Sequence, residues 1–165
     1  MQDSASAAPI AATAAGSAED DDPLFFVSLP ASVRDSYAFL TRKAAQRVTA
    51  LAHEALGPFG LTLRHFGVLN LVELDPGQNQ RIVGAKLGID RTTVVSVTDD
   101  LERAGLLERR RGRDRRSFAL FLTPVGAAQL KQLRRLVDLA QEDFLAPLAP
   151  DERDTLRELL ARLVA

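Results

Sequence analysis

The chain has no cysteine. That absence removes disulfides, thiolate nucleophiles, thiol redox sensing and every zinc site built on cysteine. Only two histidines are present, His53 and His65, which makes a metal sensor a poor fit, and no metal site is expected. No apolar run approaches the roughly 20 residues a membrane-spanning helix requires, so no membrane partner is expected. The amino terminus shows no basic segment followed by an apolar stretch, so it does not read as a secretory signal, and a cytoplasmic location is the default expectation. Catalytic signatures are missing too: there is no glycine-rich phosphate loop, no H-E-x-x-H pair and no nucleophile elbow. The chain is expected not to be an enzyme and to carry no cofactor.

What remains is 165 residues, 46% hydrophobic and 26% charged, a balance suited to one compact domain with an appended arm or extra helices. The net charge of -1 conceals an uneven distribution. Residues 1–23 hold five acids, Asp3, Glu19, Asp20, Asp21 and Asp22, and no lysine or arginine. The stretch 102–116 holds seven arginines against Glu102, Glu108 and Asp114. Such a run is often only a solvated face, so its meaning depends on what surrounds it.

Residues 1–22 are rich in Ala, Ser and Asp and poor in large apolar side chains, so they read as a disordered acidic arm. Leu24, Phe25, Phe26, Val27 and Leu29 need a partner surface, and residues 23–60 read as an N-terminal dimerisation helix region. In it Val33, Tyr37, Leu40, Ala44, Arg47, Leu51 and Leu56 recur at three- to four-residue steps along one long helix that Gly57 and Pro58 end. A second helix starts at Thr62 as N-cap, carries Leu63, Phe66, Leu69 and Val72, and stops at Asp75-Pro76-Gly77. A short helix follows with Val83 and Leu87 on one face, Gly84 open to close packing, and Gly88 at its end. The next helix takes Asp90 as N-cap, turns Val94, Val97 and Leu101 inward, and closes at Gly105.

Two short helices joined by a tight turn form a helix-turn-helix candidate, weak evidence by itself. The sequence "LLERRRGRDRRSFALFLT" then supplies a strand, an arginine loop and a second strand with Phe118, Leu120 and Leu122 on one side. Helix-turn-helix followed by a β-hairpin is a winged helix, expected over residues 61–123. Thr123-Pro124 starts the next helix, with Leu130, Leu133, Val137, Ala140 and Phe144 as its apolar stripe. A last helix carries Leu156, Leu159, Leu160 and Leu163. Helices at both ends have more apolar stripe than one small body can bury, which points to a homodimer through residues 23–60 and 124–165. The expected fold is mainly α with a small β-wing: a winged helix-turn-helix domain flanked by N- and C-terminal dimerisation helices.

These residues resemble the MarR (multiple-antibiotic-resistance regulator) family of bacterial winged-helix transcription factors, from Tyr37 to Leu163. "DRRSFALFLT" matches the family's wing signature D-x-R-x-x-x-aliphatic-x-L-T at Asp114, Arg116, Leu122 and Thr123, with the large Phe121 at a variable position. "LERAGLLERR" before it looks like the family's end of recognition helix and first wing strand. The acidic arm and Phe25-Phe26 depart from the best-known members. The resemblance implies a regulator, in the usual mode a repressor, that binds a double-stranded, pseudopalindromic DNA operator as a homodimer with recognition helices roughly 34 Å apart.

A wing that follows DNA backbone needs cations, because phosphate contacts supply most of the affinity through counterion release. Arg111, Arg113, Arg115 and Arg116 are the wing candidates, and by resemblance Asp114 orients one of them; a purely structural Asp114–Arg116 pair is the alternative. Arg109 and Arg110 alternate on a strand, so one of the two is expected to point to solvent without contacting anything. On the recognition helix Arg91, Thr92, Thr93 and Ser96 lie near the amino end, where arginine reads guanine and small hydroxyl residues read base edges or thymine methyls; capping and solvation are the bland alternative for the hydroxyls. Asp99 and Asp100 would repel phosphate, and Arg103 could relieve them.

Family members commonly bind small aromatic or phenolic anions between the dimer helices and the winged domain, and so release DNA. The candidate pocket residues are Tyr37, Arg47, His53, His65 and Phe66, chosen because a cation beside aromatic surface suits an organic anion. The rival function is a winged-helix module that engages protein or RNA without reading DNA sequence.

Overall fold

In the computed structural model, residues 29–111 and 118–165 are described. In chain order they form α1 (Ala31–Arg34), α2 (Tyr37–Leu56), a 3-10 turn (Gly57–Phe59), α3 (Leu63–Leu74), α4 (Gln80–Leu87), α5 (Arg91–Arg103), β1 (Leu107–Arg111), β2 (Phe118–Leu122), α6 (Pro124–Leu145) and α7 (Pro150–Val164). The arm expected over residues 1–22 and the apolar residues Leu24 to Val27 lie outside the described residues.

The single long first helix is instead two, α1 and α2, broken at Asp35-Ser36. Ser36 is extended (φ -74°, ψ 138°) and its hydroxyl oxygen accepts the Phe39 N–H. A serine that caps the following turn competes with continuing the helix through it. The inward face also differs from the expected stripe. Phe39, Ala52 and Leu56 are buried, whereas Val33, Tyr37, Leu40, Ala44 and Arg47 are exposed. Of the expected stripe Leu56 reaches the core and Leu51 is half-buried, while its amino-terminal members face away.

The core joins all the middle elements: Leu56 of α2, Val68, Leu69 and Val72 of α3, Val83 of α4, Val94, Val97 and Leu101 of α5, Leu107 and Leu120 of the hairpin, and Leu130, Leu133 and Val137 of α6. On α5 the expected inward residues are inward, joined by Thr98, which is fully buried. On α3 the buried set includes His65 and Val68, while Leu63 and Phe66 pack only partly. α4 and α5 meet across Gly84, where an added Cβ would stand 3.2 Å from the Val94 side chain and 3.3 Å from the Ile89 carbonyl oxygen. α4 ends, as expected, at Gly88.

β1 and β2 pair antiparallel from Leu107↔Leu122 to Arg111↔Phe118. Leu107, Arg109 and Arg111 therefore share a face with Leu122, Leu120 and Phe118, and its root is sealed by Leu107 and Leu120. The segment before α4 joins the same sheet: the Gly77 N–H donates to the Leu120 carbonyl and the Leu120 N–H to the Gln78 carbonyl, both at 2.9 Å, with a bridge between Asn79 and Ala119. Thr123 starts α6 as expected, accepting the Gly126 N–H at 2.9 Å, and its hydroxyl donates to the Gly105 carbonyl at 2.7 Å. Gly126 is there for space: a Cβ would lie 1.9 Å from the Leu106 carbonyl oxygen, so α6 begins with its backbone directly on the wing root. α7 has no buried residue.

Candidate nucleic-acid interface

Asp90 opens α5 in extended geometry and accepts both the backbone N–H (2.9 Å) and the hydroxyl (2.5 Å) of Thr93. These hydrogen bonds favour the carboxylate and hold its pKa below the ordinary aspartate value. Thr93 is thereby committed to the cap, with its methyl and both hydroxyl lone pairs left over. Arg91, Thr92, Val95 and Ser96 are exposed on the same turns.

Beside that surface lies a concavity of about 670 Å³ between α4, α5 and β2, lined among others by Gln80, Arg81, Arg91, Val95 and Phe118. Among the described residues neither Arg81 nor Arg91 is in an ion pair, nor is the exposed Arg111 at the end of β1. Arg81 and Arg91, neither ion-paired among the described residues, thus line the concavity beside the exposed end of α5. The sequence did not mark Arg81, Gln80, Val95 or Phe118 as site residues. The available signal was Val95 itself, an aliphatic residue next to the inward Val94 and off the apolar stripe, suited to a thymine methyl.

Of the wing candidates, Arg113, Asp114, Arg115 and Arg116 lie outside the described residues. Arg109 is not a surface residue. Its side chain is 16% exposed and both terminal guanidinium nitrogens are engaged by α5: it pairs with Asp99, donates to Glu102 Oε2 and Thr98 Oγ1 at 2.7 Å each, and its backbone N–H donates to Glu102 Oε1 at 3.2 Å, while the buried Nε has no partner among the described residues. Arg110 does point to solvent, but not idly; it lies over the Phe121 ring at 4.4 Å and pairs with Glu108. The acids expected to repel phosphate are matched by cations, Asp99 by Arg109 and Asp100 by Arg103 at 2.7 Å. Arg103 relieves one of them, as expected; the other relief comes from the wing.

The five pocket candidates do not converge within one chain. Tyr37 is 91% exposed at the start of α2. Arg47 and His53 are exposed on the same helix, but at about 100° per residue they stand about 280° and 160° around the axis from Tyr37. Phe66 is half-buried against the core. His65 is buried and structural: its Nδ1 accepts the Thr62 N–H at 3.1 Å and sits 2.8 Å from the Thr62 hydroxyl, which ties the first turn of α3 to its cap. The remaining proton then belongs on Nε2, 3.6 Å from Asp100 Oδ2 on α5. Burial pushes the His65 pKa below the usual histidine value, and Asp100 offsets that in part.

A model of the MarR family matches residues 59–117. A curated relative, assigned as the transcriptional regulatory protein for the hcr operon of Thauera aromatica, is 35% identical over 105 residues, 63% of this chain and 63% of the relative's own length. Among solved structures, the transcriptional repressor CouR bound to a 23-mer DNA duplex is 34% identical, with a TM-score of 0.77 over 84% of this chain and 99% of that one. CouR from Rhodococcus jostii RHA1 bound to p-coumaroyl-CoA is 27% identical, with a TM-score of 0.70 over 79% of this chain and 93% of that one. The chain belongs to the MarR family and has its winged-helix fold.

Proposed function

We propose that this chain regulates transcription by binding a pseudopalindromic DNA operator as a homodimer and is released from it by a small aromatic or phenolic ligand, with repression as its mode. The observation that carries the reading is the exposed amino end of α5, Arg91, Thr92, Val95 and Ser96, beside a concavity that Arg81 also lines, with neither arginine ion-paired among the described residues. Base edges are read by such a helix end in the major groove, while cations on either side hold the phosphates. The DNA-bound similar repressor supports it. Exposed Val33, Tyr37 and Leu40 and the apolar residues of α7 support a second copy as the missing cover.

For the ligand, support comes from the similar regulator that holds p-coumaroyl-CoA, a phenolic thioester. Tyr37, Arg47 and His53 project from different sides of α2, so a pocket that uses any one of them is completed by the second copy; Phe66 would contribute its half-buried ring and His65 only its hold on α3.

The test is in vitro selection of a duplex from a random pool, followed by titration against salt. Replacing Arg113 and Arg116 together by Ala should weaken operator and random DNA alike and flatten the salt slope by about one for each phosphate no longer neutralised. Ser96→Ala should instead change sequence preference, typically by about 1–3 kcal/mol at one base step. Thr93→Ala is less clean, since it also opens the Asp90 cap. An unchanged salt slope, or equal losses on both duplexes for Ser96→Ala, would count against these assignments.

A further inference from the structure

We infer that Arg109 is a positioning residue for DNA binding: it fixes the angle between wing and recognition helix, so that the two engage DNA as one body. The inference rests on the DNA-binding reading above and goes beyond it, because the Arg109 terminal nitrogens are engaged by α5.

Arg109 occupies an inward position of β1, on the face it shares with Leu107 and Leu120. An aliphatic side chain would fill that place without taking a cation out of water, and buried ion pairs are seldom the cheapest way to stabilise a core. What arginine adds is direction. Among the described residues its guanidinium partners all belong to one face of α5: Thr98, Asp99 and Glu102. Glu102 also takes the Arg109 backbone N–H, so side chain and strand backbone are held by the same carboxylate.

Thr98 extends the link. Its hydroxyl donates to the Val94 carbonyl at 2.8 Å and accepts from Arg109 and from Gln80, the first residue of α4. A hydroxyl has one donor and two acceptor sites, and all are used. One fully buried oxygen thus joins both helices of the helix-turn-helix to the wing. Arg111 lies two residues further along β1, about 7 Å at strand rise, so the strand's direction at Arg109 decides where the wing tip goes. On α5 the clamp grips the half that follows Ser96, leaving the amino end free for base contact.

Coupling can be measured without knowing the natural operator. The probes are the duplex enriched by selection with the wild-type protein and a random duplex of equal length, titrated well below the melting temperature of every variant. Arg109→Met keeps the length and loses the partners; Thr98→Val keeps the shape and loses only the hydroxyl, and is read in the same way should Arg109→Met fail to fold. Each is combined with Arg111→Ala. If Arg109 positions the wing, Arg111→Ala costs about fivefold less affinity for the enriched duplex in the Met or Val background than in the wild type, because a wing already released has less to lose. Arg109→Lys, which keeps the charge but not the fork, should restore the coupling only in part. Additive effects in both backgrounds would overturn the inference while leaving DNA binding intact. Selection that enriches no sequence would overturn the DNA-binding reading itself, and the inference with it.

Discussion

The winged region and the last helix of this chain are finished to different degrees. α5 buries Val94, Val97, Thr98 and Leu101, and the one hydroxyl among them has every hydrogen-bonding site filled. α7 is as regular, yet buries nothing and leaves Leu163 80% exposed. Both helices are amphipathic, so the pattern alone does not separate them. The difference is where the apolar face finds its cover: α5 finds it within the chain, and α7 finds none among the described residues. One region is covered from within; the other presents the open apolar face that the proposed homodimer would cover.

The most drastic way to break that contrast is to charge the uncovered face. Leu159→Glu with Leu163→Glu should convert a dimer to a monomer in light scattering and reduce operator affinity more than about a hundredfold, since a monomer spans one half-site. The monomer should still unfold cooperatively; loss of the fold would mean that α7 belongs to the core after all. Inside the covered region the effect should fall on stability. Leu101→Ala should cost about 2–5 kcal/mol by denaturant titration, the usual range for a buried leucine. Thr123→Ala, which removes the α6 cap, should cost about 0.5–2 kcal/mol in the same measurement.

The smallest effect should be the pH dependence carried by His65. Its native pKa lies below the ordinary 6.5, so between that value and the native one the unfolded chain binds a proton that the folded chain does not. Stability should therefore rise with pH through this window and fall as pH drops below about 6.5. Protonation would also take Nδ1 away as acceptor for the Thr62 N–H. A His65→Gln variant should show a shallower decline in urea midpoint between about pH 7 and pH 5.5; a decline as steep as the wild type's would place the titrating group elsewhere.

How much of this was legible in sequence depended on whether a residue's role is local. Caps are local, and Asp90, Thr123 and Gly88 were all readable from their neighbours. So was the inward face of α5, because a period of 3.6 belongs to one helix. The inward face of α2 was not, since that helix has one stripe for its own core and another for whatever covers it. Arg109 was hidden for a related reason. Strand alternation puts it opposite Arg110, but which of the two turns inward is set by the burial of Leu107 and Leu120 and by three partners on another element. His65 read as a ligand candidate because a side chain that caps a helix through a ring nitrogen has no signature distinct from one that meets an anion.

The junction at Gly126 has a mechanical side. α6 runs 22 residues, about 33 Å, and its first turn rests bare against the Leu106 carbonyl, with no side chain in between to act as a compressible layer. The helix is therefore a lever with its fulcrum at the wing root. A tilt of about 10° moves its far end by roughly 6 Å but shifts the fulcrum hardly at all, so the wing feels a displacement far along α6 as rotation, without slack.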